Sequence, residues 1–212
     1  MIKAIVFDFW GTLVENGVWS PIKQVQQILH IDVPFSEYVG RMEQAMMTQK
    51  FNSLREAFES ICEEFKVQCD EDKMELLIGM WNKSWMLAKP YEEVQEELKN
   101  LKKDYTLILV SNTDNFSINQ VLDKFQLREF FNHVFLSYDL GLIKTDKKFL
   151  KKVLKEAKLA AEDCVFVGDS IHSDMEAAKE AGIKGVLMDH KQRQHFEPKI
   201  RNLKELSSIL DQ

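Results

Sequence analysis

Short apolar runs, separated by longer stretches of helical periodicity, organise this chain. The runs are "IKAIVF" (2–7), "YTLILV" (105–110), "HVFLS" (133–137) and "CVFVG" (164–168), and "KGVLMD" (184–189) closes the series. They are rich in Val, Ile, Leu and Phe and do not alternate with polar residues, as expected for strands buried on both faces. Between them, residues about 91–103, 115–126, 146–159 and 172–182 have the spacing of helices. Such alternation predicts an α/β fold, a Rossmann-like parallel sheet with helices on both faces.

Residues 15–89 break the alternation. They hold no comparable strand run, but they contain helical patterns such as "SLREAFESICEEF" (53–65) and "KMELLIGMWNKSWML" (73–87). Ser53 and Glu56 have the spacing of a capping box. Trp81 and Trp85 would share one helix face, which reads as packing inside a small bundle rather than as a cofactor site. The expected organisation is a core of residues 1–14 and 90–212 with an inserted helical cap of residues 15–89. Ligands of open α/β sheets bind beyond the carboxyl ends of the strands, and an insert leaving from the end of the first strand would sit over that site.

Composition narrows the function. A net charge of −6 and a pI near 5.5 argue against a general nucleic-acid binder. The basic stretch "HKQRQHFEPKIR" (190–201) reads as a solvated loop. Cys62, Cys69 and Cys164 form no C-x-x-C pair and suit a reducing compartment, with Cys164 a core residue. No run approaches the about 18 apolar residues of a membrane span, and "MIKAIVFDF" lacks the features of a secretory signal. A cytoplasmic protein with no nucleic-acid or membrane partner is expected; oligomeric state leaves no mark in the pattern.

The strand ends carry the chemistry. The first ends in Asp8, within "IVFDFWGTLV". The second ends in "SNTDN", with Ser111 and Asn112 in a turn that opens a helix. The third leads into "SYDLGLIKTDKKFL", which offers Lys144, and the fourth ends in "GDSIHSD", with Asp169 and Asp174. Each alone could be a helix N-cap. Together they would bring carboxylates, a lysine and a hydroxyl to one crevice, a mixture suited to an anion and a divalent cation such as Mg²⁺.

Taken in order, "DFWGTL", "SNT", the lysine of "GLIKTD" and "GDSIHSD" make the chain similar to the haloacid dehalogenase superfamily of hydrolases, from residue 1 to about 190. The insert resembles that family's helical cap, and Thr145 stands where a proline is usual. The resemblance implies that Asp8 is a nucleophile forming a covalent aspartyl intermediate. It implies that Ser111, with Asn112 and backbone N–H groups at the start of the following helix, holds the substrate anion. Lys144 would offset the negative charge of nucleophile and substrate. Asp8, the backbone carbonyl of Trp10 and Asp169 would hold Mg²⁺, with Asp174 supporting the site directly or from behind. Thr12 would fix the turn and orient Asp8. His172 has no role in this scheme and reads as an exposed helix-start residue.

Trp10 stands where phosphatase members of the family carry a second aspartate, which protonates the leaving alcohol and then activates water. An indole N–H does neither. General acid–base help contributes about 10²–10⁴-fold. One reading is a Mg²⁺-dependent phosphatase acting on a small phosphorylated metabolite whose leaving group departs without a proton, or using a cap residue as the acid. A second is a metal-independent 2-haloacid dehalogenase, a class that resembles this chain in its aromatic residue at that position. It would need a cap arginine for the halide, for which Arg41 and Arg55 are the candidates, although a surface position is the simpler reading of both. A third is a binding module of low or absent activity. The intact "GDS" favours a metal site and hence the first. Asn16 and Trp19 are candidates for substrate contact.

Overall fold

A computed structural model describes residues 1–15 and 19–210 of the chain. Six strands form one parallel sheet in the order β3-β2-β1-β4-β5-β6. These are β1 (Ala4–Phe7), β2 (Thr106–Ser111), β3 (His133–Leu136), β4 (Cys164–Gly168), β5 (Lys184–Met188) and β6 (Lys199–Ile200). Five answer to the apolar runs. The sixth was expected to be loop, and it is too short to carry a pattern: Lys199 and Ile200 pair with Leu187 and Met188.

The lack of alternation in the runs follows from the two-sided sheet. Side chains of a strand point to opposite faces in turn. Ile5, Phe7, Leu107, Leu109, Val165 and Val167 therefore join one apolar cluster, and Ala4, Val6, Ile108, Val110, Cys164 and Phe166 join another. Helices α5 (Val94–Leu101) and α6 (Ser117–Lys124) cover the first face. Helices α8 (Lys147–Ala157) and α9 (Glu176–Ala181) cover the second. The short α7 (Ser137–Leu140) follows β3, and α10 (Ser207–Leu210) lies near the end of the chain. Where one helix was expected over 172–182, a wider π turn (Ile171–Met175) precedes α9. Ser170 sets it up: its hydroxyl accepts from Ser173 N, and its carbonyl accepts from both Asp174 N and Met175 N.

Helices α1 (Pro21–Ile28), α2 (Phe35–Met47), α3 (Leu54–Phe65) and α4 (Glu71–Leu87) lie between β1 and α5. They bury a cluster of their own, which includes Tyr38, Met42, Met46, Phe58, Ile61, Leu77 and Trp81. Ser53 caps α3 by accepting from Glu56 N, but the Glu56 carboxylate turns to Asn52 instead of completing the box. The two chain connections of this insert run side by side, joined by a Val14–Pro90 bridge and the Glu15 N to Lys89 O bond. Among the described residues, no helix is long and apolar enough to cross a membrane.

Candidate active site

β1 is flanked by β2 and β4, so Asp8 emerges at the middle of the sheet's carboxyl edge, held there by its N–H bond to Val167 O. Gly11 turns the chain immediately afterwards with φ of 81°, a left-handed conformation that disfavours side chains. The turn returns buried Thr12 under Asp8, and its hydroxyl donates to Asp8 Oδ2 at 3.0 Å. Lys144, ahead of α8, donates to Asp8 Oδ1 at 2.6 Å and to Asp174 Oδ1 at 2.5 Å. The second oxygen of Asp174 accepts from Ser170 N, across the π turn.

Oxygens of Asp8, Asp169 and Asp174 lie within 4.8 Å of one another. Three carboxylates thus face one buried ammonium, and the excess negative charge shows in the proton affinities of Asp8 and Asp169. Burial raises the Asp8 pKa to about 6, and Asp174 adds to this while Lys144 opposes it. Asp169 is also raised, by burial and then by Asp8 and Asp174. For Lys144, burial works against the charge, but the two carboxylates outweigh it and hold its pKa above the ordinary lysine value. An all-oxygen set with surplus negative charge fits a hard divalent cation such as Mg²⁺.

The expected anion-binding elements are arranged differently from the sequence reading. Ser111 is fully buried, with its hydroxyl 3.4 Å from Asn112 O, and is not among the residues that line the cavity; Asn112 and Thr113 are. Two N–H groups at the start of α6, those of Phe116 and Ser117, are already occupied, because Asp114 Oδ1 accepts from both and from the Ser117 hydroxyl. Thr113 N donates to Ser137 Oγ. Lys144, Asn112 and Thr113 are polar residues that line the cavity beside Asp8. Asn112 Oδ1 also accepts from Lys144 N, which ties the second and third motifs together.

A cavity of about 630 Å³ opens above these groups, with the helical insert as its far wall. Trp10 lines it, edge-on to Phe9 at 4.9 Å, with its Nε1–H 3.4 Å from Thr113 Oγ1. Trp10 is therefore a side wall of the site. Trp81 packs edge-on against Phe58 inside the insert, as the bundle reading expects. It also lines the cavity, and its indole N–H reaches Asp114 Oδ2 at 3.1 Å. Trp85 lines the cavity too and packs against the sheet-side cluster instead.

Sequence reasoning missed Glu43. One face of α2 carries Tyr38, Met42 and Met46 into the insert. The other presents Phe35, Val39, Glu43 and Met47 to the cavity. The usable signal was an acid at i+4 from Val39 and i−4 from Met47 on an otherwise apolar stripe. Glu43 Oε2 accepts from Asn112 Nδ2 at 2.8 Å.

Other expected positions lie elsewhere. Arg41 pairs with Glu37 and Glu64, and Arg55 with Glu71, away from the cavity. His172 is exposed beside Glu176 at the cavity edge. Trp19 is exposed and does not line the cavity, and Asn16 lies outside the described residues. The basic stretch is more than solvated loop. Arg193 N and Gln194 N donate to the Asp189 carboxylate, and the Gln194 amide donates to Asp169 O, bracing the end of β4.

Residues 2–182 match the family of haloacid dehalogenase-like hydrolases. A glyceraldehyde 3-phosphate phosphatase of Methanocaldococcus jannaschii is 27% identical, covering 99% of this chain and 97% of its own. A phosphoglycolate phosphatase of Pseudomonas fluorescens is 31% identical over 89% of this chain and 70% of its own. The fold is similar to that of a 2-haloacid dehalogenase from Pseudomonas syringae, with TM-score 0.67, 20% identity and coverage of 100% and 99%.

Proposed function

Because the chain belongs to the haloacid dehalogenase-like hydrolases, we propose that it is a Mg²⁺-dependent phosphatase of a small phosphorylated metabolite, acting through a covalent Asp8 intermediate. The carrying observation is the cluster of Asp8, Asp169 and Asp174 against the single Lys144. Such a set suits a divalent cation and a phosphoryl group together. Asp8, Asp169 and the Trp10 carbonyl would hold Mg²⁺, with Asp174 supporting them. The ion would neutralise charge on the transferring phosphoryl group.

In the first step an Asp8 oxygen attacks phosphorus, and the bond from phosphorus to the leaving oxygen breaks. Water then attacks the aspartyl phosphate, releasing inorganic phosphate and the Asp8 carboxylate. Thr12 holds the second Asp8 oxygen and so orients the first. Lys144 balances the charge of nucleophile and phosphate. Asn112 and Thr113, with Ser111 buried beneath, complete the anion end. Two curated relatives are named for small phosphorylated substrates, which supports that class for this chain. The insert acts as a cap over the site, consistent with its helices forming the far wall of the cavity.

Trp10 favours a second reading, dehalogenation without metal. Against it, no arginine is among the described residues lining the cavity, and the carboxylate cluster has no task in that chemistry. The test is turnover of p-nitrophenyl phosphate and acetyl phosphate with Mg²⁺ or with EDTA, beside Asp8→Asn. Turnover that needs Mg²⁺ and is abolished by Asp8→Asn is expected. Halide release from a 2-haloacid in EDTA would replace this reading with the second, and inertness toward all three substrates would make the fold a binding module.

A further inference from the structure

Trp10 removes the usual proton donor, so the leaving oxygen of an alkyl phosphate needs another. Among the described residues, the titratable ones lining the cavity are Asp8, Glu15, Glu43, Asp114, Lys144, Asp169 and His172. Asp8 is the nucleophile, and Asp169 belongs to the cation cluster. Lys144 is clamped between Asp8 and Asp174. Asp114 spends both oxygens on Phe116, Ser117 and Trp81. Glu15 and His172 are exposed to water. Glu43 remains.

We infer that Glu43, presented by α2, is the acid that protonates the leaving oxygen and the base that then activates water. The assignment rests on the phosphatase reading above. One carboxylate oxygen is fixed by Asn112, whose own carbonyl is fixed by Lys144 N, so Glu43 is registered against the same residues that hold the phosphate. Among the described residues the other oxygen, Oε1, has no hydrogen-bond partner, and Glu43 lines the cavity. Its surroundings suit the task. Burial raises its pKa to about 7; Lys144 and the Asn112 bond pull it down, while Asp174 and Asp8 push it up. A catalytic acid–base group works best with a pKa near the operating pH.

The protons balance. As the bond from phosphorus to the leaving oxygen breaks, its electron pair stays on that oxygen and takes the Glu43 proton. The resulting carboxylate takes a proton from water while the water oxygen bonds to phosphorus and the Asp8 oxygen departs. Glu43 ends protonated, ready for the next cycle.

Glu43→Gln keeps the size of the side chain and an oxygen for Asn112, and it removes the proton transfer. With Mg²⁺ present, first-turnover release of alcohol from glycerol 3-phosphate should fall about 10²–10⁴-fold. The burst of 4-nitrophenol from p-nitrophenyl phosphate, whose leaving group needs no proton, should be nearly unchanged. The alkaline limb of the first-turnover pH profile, set by loss of the Glu43 proton, should disappear. Adding Trp10→Asp to Glu43→Gln should restore alkyl turnover, which a structural role for Glu43 would not permit. An equal loss on both substrates, no loss on either, or a double variant no faster than Glu43→Gln overturns the assignment while wild-type phosphatase activity stands. A wild-type protein inert toward both phosphates overturns it together with the phosphatase reading.

Discussion

Asp8 is a carboxyl group that folding makes a weaker acid, because burial outweighs the attraction of Lys144 and moves its pKa from 3.8 to about 6. A group that binds its proton more tightly when folded gives stability that is full below the unfolded pKa and is lost as pH rises through the folded value. With divalent ions chelated, Asp8→Asn should therefore melt above wild type by a margin that opens between about pH 4 and pH 6 and stays constant beyond. The margin is read as a difference in Tm, each kcal/mol moving Tm by about 2–4 °C in a chain of this size. Mg²⁺ should narrow the gap by stabilising wild type, since a ligand bound only by the folded state raises its stability. Equal melting of the two proteins across that pH window would mean that Lys144 fully compensates the burial. The sequence made Asp8, Lys144, Asp169 and Asp174 legible because Asp8 and Asp169 follow strand ends directly, and Lys144 and Asp174 lie in the segments that lead from β3 and β4 into the next helices, all on the sheet's carboxyl side. It did not reveal Glu43, whose position depends on how α2 rotates against the sheet, or the occupied N–H groups of α6, which depend on where Asp114 turns.

Among the elements, β4 and the π turn after it are packed as one piece. A Cβ added at Gly168 would lie 2.5 Å from side-chain atoms of Asp174. The strand must end in a residue without a side chain for Asp174 to reach Lys144. Gly168→Ala should cost about 1–3 kcal/mol through overpacking, read as a lower Tm, and should lower kcat by displacing Asp174. Unchanged Tm and kcat would show that Asp174 can step aside freely. The strands were readable because burial on two faces demands unbroken apolar runs; β6 was not, since two residues carry no period. The π turn escaped because it arises from the Ser170 bonds rather than from apolar spacing.

Over the whole molecule, polar contacts that tie the insert to the sheet domain among the described residues include Asn112 to Glu43, Trp81 to Asp114 and Ser117, Asn115 to Phe51, Lys50 to Asp139 and Lys124 to Met86 O. Trp81→Phe keeps the ring in the insert but leaves Asp114 Oδ2 without its donor, an unmade buried bond of about 1–3 kcal/mol. A lower Tm is expected, together with faster hydrogen exchange in α4 than in β1. Equal loss of protection in both would mean that insert and sheet open as one unit. The position of β1 has a consequence for synthesis. This strand is made before both of its neighbours, β2 and β4, which lie a hundred or more residues further along. Helices α1–α4, whose cluster draws almost wholly on their own segment, can collapse as soon as they leave the ribosome. The strand that ends in Asp8 must wait for partners on both sides, its apolar run open to chaperones or to misassociation until the sheet closes around it.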